Sequence, residues 1–392
     1  MTISELSERF ALVDFESVHQ ALAADPDACA LAGPGTDGLG PIVLRLGDSA
    51  VTIEPGCPVR IRSGAQSDAH VEVEFASSRA FTDFYYELRT VPGAQVTGSV
   101  KYHVGGYVQF DAWEPALRAL YQGRSVYDPA MVDRSRVSRV FTHGVDSVDE
   151  IGAHVREFGF AIVRDVFSSD EVASIDEAIS RLEHESTPST PGTWWTTGPD
   201  GEGYPCQIHY VTEKAPDIAW VDDDVRMTGL CDAAIPGLVS HPDRGNGTFA
   251  VLKRPGATAG LTNLAWHIDC GLGGHTVTCP GLHIGIQLTE SNPSTGAFSI
   301  LAGSHDSSVR RDVIDGSDLP VVVVSTKPGD VTIHVTHVMH AAPAPVDTGQ
   351  GRRTLYLGYG PQLAHDIIGP GQSFDDLISQ TSDDGYVSFE SK

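Results

Sequence analysis

Positive charge is scarce in this sequence: 26 Lys and Arg stand against 52 Asp and Glu, a formal net charge of −26. Duplex nucleic acid is gripped by concentrated basic side chains that displace counterions, and an anionic membrane surface attracts the same residues, so neither is an expected partner. A local basic pocket for an anionic small molecule stays open. Long apolar runs are also missing. Nothing approaches the roughly 20 residues that span a bilayer, and the densest short run, Leu319 to Ser325, reads as a buried strand. Met1 to Glu16 carries Glu5, Glu8 and Asp14 and no basic n-region ahead of an apolar core. That is not a secretory signal, and a cytoplasmic location is expected. The six cysteines (Cys29, Cys57, Cys206, Cys231, Cys270 and Cys279) include no Cys-x-x-Cys pair, so no zinc or disulfide framework is indicated. Cys270 reads as a small buried apolar residue.

What is present describes a globular chain, 41% apolar and 20% charged over 392 residues, long enough for two domains. After helical character at Glu16 to Ala24 and a Gly, Pro and Asp-rich loop to Pro41, Ile42–Leu46 and Ala50–Ile53 flank Gly47-Asp48, a hairpin signal. His70 to Phe75 alternates as a strand, Arg79 to Thr90 reads as helix, Gly98 to Val104 as strand, and Trp113 to Tyr121 as helix. A linker is expected near Ser125 to Arg139. Beyond it, Ser147 with Glu150 and Ser168 with Glu171 fit the capping box that starts a helix. They bracket the strand Phe160-Ala161-Ile162-Val163. Glu185 to Pro205, rich in Thr, Pro and Gly around Trp194-Trp195, reads as a long loop and a candidate substrate lid, with core anchoring as the alternative.

The chemistry is expected further on. His267-x-Asp269 would put an imidazole and a carboxylate on one strand face, the beginning of a two-histidine, one-carboxylate site for non-haem Fe(II). The pattern alone is weak, since His241-Pro242-Asp243 repeats it, although a central proline suits an interior strand poorly. Leu282, Ile284, Ile286 and Leu288 alternate with His283, Gly285, Gln287 and Thr289, giving one face to the core and one to a polar cavity. Pro328-Gly329-Asp330 turns into a strand expected to run from Val331 to His340 and to stop before Pro343. On it, alternation places His334 and His340 on one face and His337 on the other. Arg352 to Tyr359 closes the set as a strand.

In order, the helix-strand-helix entry, His267-x-Asp269, Gly296, Leu301-Ala302-Gly303-Ser304-His305, Gly329-Asp330, His340 and Arg352 resemble the phytanoyl-CoA dioxygenase family of Fe(II)- and 2-oxoglutarate-dependent oxygenases, over about Val145 to Gly369. Ala302 stands where that family commonly has proline. The resemblance implies a double-stranded β-helix (a cupin-like jelly roll) with flanking helices, iron held by His267, Asp269 and His340, and the distal carboxylate of 2-oxoglutarate held by Arg352, with Arg353 as the other arginine in the frame. A planar guanidinium suits a carboxylate through two parallel hydrogen bonds. Gln287 is a further co-substrate contact on cavity-facing alternation; Gln207, His209, Lys253 and Thr336 are weaker ones. Trp194, Trp195, Gln207 and His209 are the candidate substrate residues.

The implied reaction uses dioxygen to oxidise an unactivated C–H bond of a small molecule, hydrophobic or carrier-bound, releasing succinate and CO2. Halogenating relatives carry a small residue at the carboxylate position, so Asp269 points to hydroxylation, desaturation, epoxidation or rearrangement. The rival reading is a lipid-binding protein on a catalytically inactive oxygenase fold. In the front part, Asp68 to Phe75, Thr97 to Tyr102 and the closing helix resemble the sterol carrier protein domain, an α+β module. The expected organisation is therefore residues 1–127 as that module, a linker 128–144, an oxygenase domain 145–370, and an acidic tail 371–392.

Overall fold

A computed structural model describes residues 10–258, 260–271, 279–346, 351–367 and 370; the expected acidic tail lies outside the described residues. The chain divides into two compact units, residues 1–131 with 269–279 and 304–319, and residues 132–268 with 280–303 and 320–392. Among the described residues no helix is long and apolar enough to cross a membrane.

The first unit carries α1 (Phe15–Ala23), α2 (Pro26–Ala32), β1 (Ile42–Leu46), β2 (Ser49–Glu54), β3 (Arg60–Ser63), β4 (Val71–Phe75), α3 (Ser78–Tyr85), α4 (Val91–Val96), β5 (Val100–Val104) and α5 (Tyr107–Gln122). The five strands form one sheet in the order β3-β2-β1-β4-β5, with β1 and β4 parallel. The Gly47-Asp48 turn joins β1 to β2 as its spacing predicts, with Leu46 opposite Ser49. The last helix begins six residues before the expected Trp113, at Tyr107, because Gly106 serves as its N-cap. Its apolar face, with Phe110, Trp113, Leu117 and Leu120, packs over Ile42, Leu44, Val71 and Val73. Arg311, from the segment 304–319, joins this unit through buried ion pairs with Asp111 and Glu114 of α5.

The second unit is built on two sheets. Its elements are β6 (Phe141–Thr142), α6 (Val148–Phe158), β7 (Phe160–Arg164), α7 (Ser169–Glu185), β8 (Thr193–Thr197), β9 (Gly203–Ile208), α8 (Val211–Lys214), α9 (Val225–Ala234), β10 (Thr248–Lys253), β11 (Leu264–His267), β12 (Leu282–Gln287), β13 (Ser299–Leu301), β14 (Val321–Val323), β15 (Val331–Val335), β16 (His340–Ala342), β17 (Arg352–Tyr359) and α10 (Gln362–Ile367). The larger sheet has the order β6-β7-β15-β12-β17-β10-β9-β8, the smaller β11-β16-β13-β14. Both expected capping boxes form, and Gly159 ends α6 in the left-handed conformation.

Strand alternation then sorts the larger sheet into two faces. Leu282, Ile284 and Ile286 of β12, Val331, Ile333 and Val335 of β15, and Leu355 and Leu357 of β17 form one core with Ile175 and Ile179 of α7 and Met227 and Leu230 of α9. Each such side chain contributes about 1.5–3 kcal/mol when fully buried. The residues between them are committed to the opposite, inner face: His283, Gly285 and Gln287; Thr332 and His334; Arg352, Thr354 and Tyr356; and from β10 Phe249, Val251 and Lys253.

Four local expectations change. The stretch read as a loop around Trp194-Trp195 is a hairpin, β8 against β9, because five consecutive Thr and Trp residues favour extended backbone and Pro199-Asp200-Gly201 turns the chain. The expected strand from Val331 to His340 breaks after Val335, where the Val338 amide turns back to bond the Val335 carbonyl; His334 and His340 therefore belong to different sheets. The strand at His267 ends there, with an irregular register against β16, so Asp269 sits just beyond it. Finally, the apolar run near Leu319 is an edge strand, β14, with Val323 43% exposed.

Candidate active site

The central pair is a matter of strand register. Antiparallel β11 and β16 place His267 directly opposite His340, with ring centroids 4.2 Å apart. Asp269 follows two residues later on the same backbone. One ligand atom from each of His267, Asp269 and His340 lies within 4.8 Å of the others. The Nδ1 of His267 is 2.7 Å from the Ala265 carbonyl oxygen, and that of His340 is 3.0 Å from the Val338 carbonyl oxygen. A carbonyl only accepts, so Nδ1 must carry the proton in both rings. Nε2 then holds the lone pair that a metal needs, the same tautomer being fixed twice by the same device. Two imidazole nitrogens and one carboxylate oxygen are a donor set suited to ferrous iron. A second set of donor atoms within the same 4.8 Å limit, from Asp269, His283 and His334, lies beside the first, and His283 pairs with His334 across β12 and β15.

Arg352 opens β17 on the inner face. Its side chain is 2% exposed, and its Nε and Nη1 atoms have no hydrogen-bond partner among the described residues. Burial pulls its pKa down. Lys253 is its cross-strand partner on β10. The Lys253 ammonium donates to the carbonyl oxygens of Ala342 and Pro343, each at 2.7 Å, so it grips the chain just after His340. Burial, then the nearby Arg352 charge, push its pKa well down. Neither cation has a carboxylate within ion-pair distance among the described residues. An anion placed at Arg352 would relieve both.

Arg353 points the other way. It donates to Asp176 at 2.6 Å and Glu183 at 2.7 Å, both on α7, so the structure does not bring it together with Arg352 on the inner face. Gln287 is fully buried and tied into its own sheet: its amide donates to Thr332 at 3.1 Å and accepts from Thr354 at 3.1 Å. It braces the strand beside Arg352. Thr336 donates to the Gly281 carbonyl.

The four candidate substrate residues divide. Gln207 and His209 sit at the inner end of β9, their side chains 2.6 Å apart, and Trp194 lies over His209 at 5.0 Å between ring centroids. The register shift between Trp194 and Trp195 turns Trp195 elsewhere. It lines a groove of about 340 Å³ with Tyr204, Glu183, His184 and Arg254, away from the inner face. From His209 the inner face continues through Phe249 (6.0 Å), which stacks on Tyr356 (5.3 Å), to His283 and His334. Phe249, Tyr356, His283 and His334 carry no assigned role in the sequence; the alternation that selects Gln287 also turns His283 to the cavity, whereas Phe249 stands on β10, a strand the sequence reading does not mark. Gly285 is required here: a Cβ on it would lie 2.6 Å from the Tyr356 ring.

Residues 155–354 match the phytanoyl-CoA dioxygenase family, a span that includes every residue of the ligand set and Arg352. The chain belongs to that family, whose members are non-haem Fe(II)- and 2-oxoglutarate-dependent enzymes. Solved structures to which the chain is similar include AviO1 from Streptomyces viridochromogenes Tue57, 21% identical with a TM-score of 0.43, covering 55% of this chain and 95% of that one. EctD from S. alaskensis with 2-oxoglutarate and 5-hydroxyectoine is 20% identical with a TM-score of 0.45, over 61% and 82%. The non-haem α-ketoglutarate-dependent epimerase SnoN from nogalamycin biosynthesis is 18% identical with a TM-score of 0.42, over 55% and 80%. No curated protein matches the chain.

Proposed function

We propose that the protein is an Fe(II)- and 2-oxoglutarate-dependent oxygenase in which His267, Asp269 and His340 hold the iron and Arg352, not Arg353, holds the distal carboxylate of 2-oxoglutarate. The two sheets of the second unit serve as the double-stranded β-helix, and residues 1–127 as an attached sterol carrier protein-like module, a reading supported by the β3-β2-β1-β4-β5 sheet. The observation that carries the reading is Arg352: a buried guanidinium whose Nε and Nη1 donors are unmet among the described residues suits a site where an anion binds.

Each residue then has a task. The Ala265 and Val338 carbonyls keep the two imidazoles in the metal-binding tautomer. Lys253 fixes the chain after His340. Gln287 and Thr354 hold the strand that aims it. When bound, the iron and 2-oxoglutarate supply the oxidising power, with dioxygen, that breaks an unactivated C–H bond and leaves succinate and CO2. The substrate is a small molecule seated on the inner face, where Phe249, Tyr356 and Trp194 offer apolar area and His209 and His283 offer hydrogen bonds to polar groups on it. The outcome is hydroxylation, desaturation, epoxidation or rearrangement.

Anaerobic titration of the protein with Fe(II) and 2-oxoglutarate tests this. A visible charge-transfer band is expected in the wild type and lost in His267→Ala. A normally folded protein that gives no band overturns the reading in favour of a lipid-binding protein on the same fold.

A further inference from the structure

We propose that Cys270 and Cys279 are a redox-modified pair that closes to a disulfide on exposure to a peroxide. Their Sγ atoms lie 3.0 Å apart, roughly 1 Å beyond a disulfide bond of about 2.05 Å, so closure needs only a small approach. The two thiols differ in access: Cys270 is buried and Cys279 half-exposed. One end of the pair is already fixed, since both the amide and the hydroxyl of Thr90 donate to the carbonyl of Gly271, at 2.7 and 2.9 Å. Cys270 is therefore held in place, next to a thiol that an oxidant can reach.

The chemistry balances in two steps. The Cys279 thiol attacks hydrogen peroxide, breaking the O–O bond to give a sulfenic acid and one water. The Cys270 thiol then attacks that sulfur, forming the S–S bond and releasing the second water. Two thiols lose two electrons and the peroxide gains them. Competing thiols are poor rivals: burial pushes Cys206 and Cys231 up to about 12 and raises Cys29. Cys57 is exposed and would give only single-thiol products.

The pair also adjoins the proposed iron site, because Cys270 follows Asp269 directly. Resting on that reading, drawing Cys270 toward Cys279 shifts Asp269 and weakens metal binding.

The test uses the full chain carrying Cys57→Ser. After hydrogen peroxide treatment, denaturing alkylation and digestion, the peptide holding both cysteines is expected 2 Da lighter and unalkylated at both, and restored by dithiothreitol. In Cys279→Ser the 2 Da loss should vanish. Two alkylated thiols after peroxide, or a loss that persists in Cys279→Ser, overturns the proposal. Mn(II) binding to the oxidised protein is expected several-fold weaker and recovered on reduction. A disulfide that forms without changing Mn(II) affinity overturns the link to Asp269 alone, whereas failure of Mn(II) to bind the reduced protein overturns the iron-site reading.

Discussion

Arg352→Met should make the ligand-free protein more stable while abolishing its response to 2-oxoglutarate. Two nitrogens of the buried guanidinium lack partners among the described residues. An unmet buried donor costs about 1–3 kcal/mol, and replacing an uncompensated buried charge by an apolar side chain is often stabilising by about 1–4 kcal/mol. Methionine is shorter, and the residual void takes back roughly 1 kcal/mol. The net expectation is a gain of about 1–3 kcal/mol in urea unfolding without ligand. In the wild type with Mn(II), 2-oxoglutarate at a hundred times its Kd should add about 2.7 kcal/mol; in Arg352→Met the same concentration should add nothing. Paired urea melts with and without 2-oxoglutarate read both effects. A variant that is less stable than wild type when ligand-free, or that keeps the 2-oxoglutarate increment, refutes the reasoning.

Arg353→Ala should separate the two arginines: loss of its half-buried ion pairs with Asp176 and Glu183 lowers stability by about 1–2 kcal/mol, while KM for 2-oxoglutarate, followed by succinate release, moves less than about twofold. His154 supplies a pH dependence. It is buried among Phe141, Phe158 and Phe160, and burial, then the charges of Arg136 and Arg139, lower its pKa from 6.5 to about 4. The unfolded chain takes up the proton first as pH falls, so the stability tied to the neutral ring is complete above about pH 6.5 and lost on the way down to about 4. Between pH 7.5 and 4.5 the loss should be about 2–3 kcal/mol, and urea melts of His154→Leu should show a slope smaller by that amount.

What could be read from the sequence was what neighbouring residues decide. Ser147 with Glu150 and Ser168 with Glu171 mark helix starts through contacts three residues apart, and both form. The alternation of β12 and β17 told the two faces of each strand apart. It did not say which face of β17 turns inward at Arg352, although Arg353 shares its parity with Leu355 and Leu357, which α7 and α9 cover. The misread stretches are those that tertiary pairing decides. Thr336 to Met339 contains no glycine or proline to announce a break, yet the chain leaves one sheet for the other there. Trp194-Trp195 reads as loop from the Pro and Gly around it, while pairing with β9 makes it a strand. The facing of His267 and His340 is a register between distant segments, for which no local signal exists.

That register has a thermodynamic consequence. His267 and His340 face each other only when the 72 residues between them have closed into a loop, and closing such a loop in a flexible chain opposes assembly by roughly 4 kcal/mol in entropy. The folded sheet meets that requirement before any metal arrives. A metal bound here acts as a clasp between β11 and β16. Its dissociation constant therefore reports how completely those two strands stay zipped as well as the strength of the ligand bonds, and amide exchange at Ala341 and Ala342 should slow as the metal binds.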